Sequence, residues 1–188
     1  MAKRKLSVSS TRSVFTYVYL HEAAEWALEQ AEATEEGRFY NCMCSILLSA
    51  FCTEAYLNHI CSELLPYWDN ELKKDINTPN KLKIICYHLK LTPDFSRRPF
   101  QSFKDIVKFR NLTVHGTSVN ISNQGIQTVH DGERVKYPET WWEKHSNIAT
   151  AKRWLADTES MVATIHEAAG KGRFPFLLLG AASYVGTP

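Results

Sequence analysis

The sequence predicts an all-α fold, a bundle of four or five helices with a small antiparallel β-ribbon inserted at about 118–137. Three observations carry this. From Phe39 to Leu65, apolar residues alternate at spacings of four and three. From Trp141 to Ala169, a second long stretch repeats with a helical period. After Gly116 the period changes to two, as it does in half-buried strands.

In chain order, residues 1–12 are polar and basic and read as a frayed arm. The next unit, 13–172, reads as one helical domain, and 173–188 as an apolar tail. Ser10, Thr11 and Ser13 offer N-cap oxygens for a first helix over Val14–Glu35. Val14, Val18, His21, Ala24, Leu28 and Ala31 share one side of it, and Gly37 breaks it. The second helix presents Met43, Leu47, Ala50, Glu54, Leu57, Cys61 and Leu64 as a seam for another helix. Glu54 is the one charge on that seam. A charge there is costly unless paired, so Glu54 is expected to be buried against Arg110 or the end of the motif helix, with Asn58 one turn on in the same network. The alternative is an exposed carboxylate at the seam edge.

Residues 66–80 read as a loop with one short turn, and Thr78-Pro79-Asn80 as punctuation. A short third helix, Lys81–Leu91, turns Leu82, Ile85, Cys86 and Leu89 inward. Phe103, Ile106 and Val107 begin a fourth helix that Gly116 ends as a C′ residue. In the ribbon, Ser118–Ser122 and Ile126–His130 alternate, and Asp131-Gly132 signals a hairpin. The last helix, Trp141–Ala169, faces Trp141, Ile148, Leu155, Val162, Ile165 and Ala169 inward, with Trp142 and Trp154 adding core or interface area and Trp142 read as core rather than a base-stacking platform. The tail Phe174-Pro-Phe-Leu-Leu-Leu is apolar enough that it should dock on its own domain or across a dimer.

With 44% hydrophobic residues the chain is globular rather than disordered, and its 188 residues suit one domain with a real core. A net charge of +2 does not mark the whole chain as a nucleic-acid binder. Local charge differs: between Arg97 and Gly116 lie Arg97, Arg98, Lys104, Lys108 and Arg110 against the single acid Asp105, a segment suited to RNA or another anionic ligand. Five cysteines, an odd count, do not read as a disulfide framework. Their reduced state suits a cytoplasmic setting. Cys42-x-Cys44 has the wrong spacing for a zinc site, and no metal or other cofactor is expected. No apolar run reaches the ~20 residues that span a bilayer. The basic start Met1-Ala-Lys-Arg-Lys leads into no apolar stretch and does not read as a secretory signal.

The chemistry concentrates in Arg110-Asn111-Leu-Thr-Val-His115. Arg stays charged and can fork onto a phosphate, whereas His exchanges a proton near neutral pH. This stretch resembles the R-x4–6-H motif of HEPN domains, in the RNxxxH form of many toxin and abortive-infection ribonucleases. Ile46–Asn58, with Glu54, is similar to the Glu-bearing second helix of bacterial HEPN proteins. The resemblance covers roughly 14–170 and implies a metal-independent endoribonuclease, with Arg110, His115 and Asn111 catalytic, Glu54 and Asn58 supporting, and Lys104, Lys108, Arg97 and Arg98 holding RNA phosphates. It also implies a toxin–antitoxin or anti-phage setting with an antitoxin or defence partner. On an ideal helix, residues five apart are separated by about 140° and about 7.5 Å along the axis. Arg110 and His115 therefore do not share a face, and a homodimer that pairs two motifs in one cleft is the arrangement the resemblance implies. The alternative is a non-catalytic HEPN-like scaffold, in which Arg110 pairs with Glu54 and His115 caps its helix.

Overall fold

The long apolar seam becomes α2 (Arg38–Leu64), the helix on which the bundle is built. The computed structural model describes residues 7–68, 70–122, 124, 130 and 137–187. Within them, α1 (Thr16–Ala33), α4 (Thr78–His88), α5 (Phe100–Val114) and α7 (Ile148–Ala168) all pack against α2, and the short helices α3 (Asn70–Asp75) and α6 (Trp141–His145) connect them. The all-α expectation is met. Among the described residues a single small sheet accompanies the helices: β1 (Ser7–Val14) antiparallel to β2 (Gly180–Thr187).

The seam reading captured half of α2. Ala50, Leu57 and Cys61 are buried as expected, but Met43 and Leu47 are only half-buried. A second stripe, Cys42, Ile46, Ser49, Thr53, Tyr56 and Ile60, is buried too, because helices cover α2 from more than one side. Small polar residues are tolerated there because their hydroxyls bond back along the helix. Ser49 Oγ donates to Ser45 O at 2.8 Å and Thr53 Oγ1 to Ser49 O at 2.9 Å. The core has two ends. Tyr56, Leu57, Ile60, Leu82, Ile85, Phe103, Met161 and Ile165 form one, and Ile46, Ile106, Phe109, Trp154 and Leu155 the other. Burial pushes the Cys52 and Cys61 thiols up to about 12 and Cys86 to about 11, so these cysteines stay protonated core residues.

Several boundaries differ from expectation, each for a local reason. The first helix starts at Thr16 after Phe15, with no side-chain cap, so Ser10, Thr11 and Ser13 do not cap it. They lie in β1, and residues 7–14 are therefore a paired strand rather than a frayed arm. Thr78-Pro79 opens α4 instead of preceding it: Asn77 accepts from Asn80 N–H, and Pro is permitted in a first turn whose N–H groups lack helical partners. The last helix is split. Thr140 and Glu143 form a reciprocal capping box for α6, and Asn147 restarts the chain as N-cap of α7 by accepting from Thr150 N–H. Residues 118–122 and 137 of the expected ribbon carry no strand, and most of its remainder, including Asp131-Gly132, lies outside the described residues.

The tail docks in part. Phe176 stacks on His21 at 4.0 Å between ring centroids and meets Tyr17 edge-on, while Phe174, Leu177 and Leu178 remain exposed. Phe15 and Tyr17 also flank His59. Burial pushes His59 and His166 below the ordinary imidazole range, and the Lys171 ammonium lowers His166 further. Each therefore binds a proton less readily folded than unfolded. Their contribution to stability is full above the unfolded value of roughly 6.5 and is lost as pH falls through the lower folded values. Urea midpoints at about pH 7.5 and about pH 5.5 are expected to show this loss, and His166→Gln should flatten it.

Candidate functional site

Phe103, Ile106 and Phe109 bury one face of α5. Arg110 is the next residue round, about 100° on, which places it at the edge of the α5–α2 contact. There it meets Glu54. Arg110 Nη2 donates to Glu54 Oε2 at 2.9 Å, and Arg110 Nη1 donates to Asn111 Oδ1 at 2.9 Å. The other oxygen of Glu54 faces Lys81 of α4, whose Nζ lies 3.4 Å from Oε1. One carboxylate thus serves two cations. Glu54 pairs with Arg110, one of its two expected partners, and is mostly buried, at 27% side-chain exposure. Lys81, which carries no motif, is the more deeply placed charge at 3%.

These groups line a cleft of about 390 Å³ between α2, α4 and α5, together with Asn58, Asn111 and Lys73. Asn58 Oδ1 is buried and has no hydrogen-bond partner among the described residues. Asn58 thus shares the cleft of Glu54, without a bond to it.

His115 is elsewhere. It is the C-cap of α5, exposed, with its N–H bonded to Asn111 O at 3.1 Å. It does not line the Arg110 cleft. A second, larger cavity of about 750 Å³ opens on the other side of the α5 terminus and is lined by Met43, Leu47, Leu112, Val114, Gly116 and Trp142, and His115 does not line that one either. Thr113 Oγ1 donates to Phe109 O at 2.9 Å and Arg110 O at 3.1 Å, closing the last turn. Gly116 does not take the positive φ expected of a C′ glycine. It is needed for space instead: a Cβ there would stand 2.4 Å from Leu112 O.

The basic segment is less uniform than its sequence suggests. Lys104 Nζ lies 5.0 Å from the centre of the Phe95 ring, and Lys108 Nζ lies 4.1 Å from that of Trp141. Arg97 is exposed and pairs with Asp94. Arg98 Nε donates to both oxygens of buried Asp157, at 2.7 and 2.9 Å, and Ser102 Oγ donates to the same carboxylate at 2.5 Å. These bonds hold the Arg98 guanidinium against α7 rather than at the Arg110 cleft, and the Asp157 carboxylate raises its pKa. Of the cations expected to hold phosphate, none lines that cleft except Arg110 itself.

Sequence reasoning also missed the cluster of His21, Glu25 and Glu159, whose ligand atoms lie within 4.8 Å of one another. His21 Nε2 contacts Glu159 Oε1 at 2.7 Å and Nδ1 lies 3.3 Å from Glu25 Oε2, so both ring nitrogens face carboxylates. Glu159 belongs to α7, and nothing in sequence links it to His21. No helix among the described residues is long and apolar enough to cross a membrane. No protein-family model, curated protein or solved structure matches the chain.

Proposed function

We propose that this protein is a HEPN-type, metal-independent endoribonuclease whose active site is composed from two copies of the chain, in a toxin–antitoxin or anti-phage role. The observation that carries the reading is the division of labour at the end of α5. Arg110 is anchored by Glu54 and Asn111 in a polar cleft, while His115 sits exposed at the same helix end and outside that cleft. One chain thus offers a phosphate-binding Arg and an accessible proton carrier that do not meet. A second copy related by a two-fold axis would bring a His to each Arg, and two His residues can divide base and acid duties.

In the proposed reaction one His115 takes the proton of a ribose 2′-OH. The oxygen attacks the adjacent phosphorus, and Arg110 stabilises the negative charge of the phosphorane. The P–O5′ bond breaks as the other His115 protonates the leaving 5′ oxygen. The products are a 2′,3′-cyclic phosphate and a 5′-OH end. DNA lacks the nucleophile and should stay intact. Wild type is expected to cleave RNA in EDTA, and Arg110→Ala and His115→Ala should each lower the rate by about a hundredfold or more while remaining folded. Gel assays on single-stranded and structured RNA check this.

A non-catalytic binding module is the second reading. It is favoured by Arg110 already being paired with Glu54 at 2.9 Å, which leaves its charge part-compensated. It prevails if wild type and His115→Ala are equally inert toward RNA.

A further inference from the structure

The cleft beside Arg110 holds an imbalance that the proposed reaction does not use. Lys81 is 3% exposed, yet among the described residues the one partner of its ammonium is Glu54 Oε1, at 3.4 Å, which is long for a charged hydrogen bond. An ammonium has three donors. Glu54 gives its other oxygen to Arg110 at 2.9 Å, so two cations share one negative charge. Lys73 adds a further cation to the lining. Buried charge is costly unless paired, and an anion is what would complete this set. The same lining holds Asn58 Oδ1, unpartnered among the described residues, an acceptor that calls for a donor. At about 390 Å³ the cleft is in the range of small-ligand sites.

We propose that this cleft is a phosphate-binding site in which Lys81, beside Arg110, holds the anion, and that its ligand carries a hydroxyl near that phosphate, as a ribonucleotide does. Lys81 supplies donors to the phosphate oxygens and Asn58 Oδ1 accepts from the hydroxyl. The ribonucleotide identity rests on the ribonuclease reading, whereas the phosphate subsite stands without cleavage.

The test is calorimetric binding of adenosine 3′-monophosphate, its 2′-deoxy form and inorganic phosphate to the full chain. Lys81→Met is expected to weaken all three by at least about tenfold, the loss of a charged hydrogen bond. Lys83→Met is the control: Lys83 is exposed on the same helix and does not line the cleft. It should bind as wild type does. Asn58→Leu should erase any preference for the ribose form while keeping inorganic phosphate. Should Lys81→Met not fold, Lys81→Gln replaces it, and in wild type labelled with ¹⁵N-lysine the Lys81 ammonium signal should move on phosphate addition while that of Lys83 stays. Equal binding by wild type and the Lys81 variants overturns the site, as does wild type that binds none of the probes. Lys81-dependent binding without RNA cleavage ends the ribonuclease reading and leaves this site standing. RNA cleavage with Lys81-independent binding does the reverse.

Discussion

Replacing Glu54 with alanine is expected to destabilise the protein by about 2–4 kcal/mol, because it strands two cations at once. Lys81 would lose its Glu54 partner and Arg110 would lose its anchor to α2. The estimate sits below the full cost of breaking a deeply buried pair, since Glu54 and Arg110 are each about a quarter exposed. The signature of this mechanism is non-additivity. In the double variant Glu54→Ala/Lys81→Met the buried ammonium is gone, and part of the lost stability should return. Urea denaturation of the two single variants and the double closes the cycle. Additive losses would mean that Lys81 and Glu54 do not interact. The same change bears on the proposed reaction: with Arg110 untethered, a small misplacement is expected to slow RNA cleavage by about a hundredfold.

Trp154→Ala should be more damaging to the fold, at about 3–5 kcal/mol. Trp154 is 1% exposed and is the largest fully buried side chain. It meets Phe109 of α5 edge-on at 5.9 Å and stacks with Trp141 at 6.2 Å and His145 at 5.6 Å. Its removal would leave a void where α5, α6 and α7 converge, and would free the one-turn helix α6, which has no buried residue of its own. Because the whole folding free energy of a domain is typically about 5–15 kcal/mol, the loss should be visible as a markedly lower melting temperature. Trp154→Phe keeps part of the stack and should cost about half as much. Thermal melts followed by circular dichroism at helical wavelengths distinguish the two.

The contrast between these two residues shows what can be read locally. Trp154 lies on a stretch whose apolar period marks α7, beside Leu155 of its inward face, and its burial agrees with the core reading of that stretch. Lys81 lies between Asn80 and Leu82 in a run that also contains Lys83, and only one of the two lysines is buried. No signal within the run separates them. Asp157 is similar: a carboxylate on α7, it is buried because Arg98 and Ser102, far away in sequence, reach it. The strand pairing of β1 with β2 joins residues from the two ends of the described chain, and Ser7–Val14 has no alternation strong enough to announce it.

By itself the sequence determined the helical class, the approximate spans of α1, α2, α5 and α7, part of the inward faces of the long helices, and Arg110 as one of the two partners open to Glu54. These follow from hydrophobic period and from the cost of a lone charge on an apolar stripe, both of which are local quantities. Tertiary structure alone decided that Lys81 joins that pair, that Arg98 is spent on Asp157, that His115 stands outside the Arg110 cleft, and that Gly116 is required by its approach to Leu112 rather than by its φ. The reason is that a charged side chain's role depends on which opposite charge the folded chain brings within a few ångströms, and that distance is set by how the helices cross rather than by any residue's neighbours in sequence.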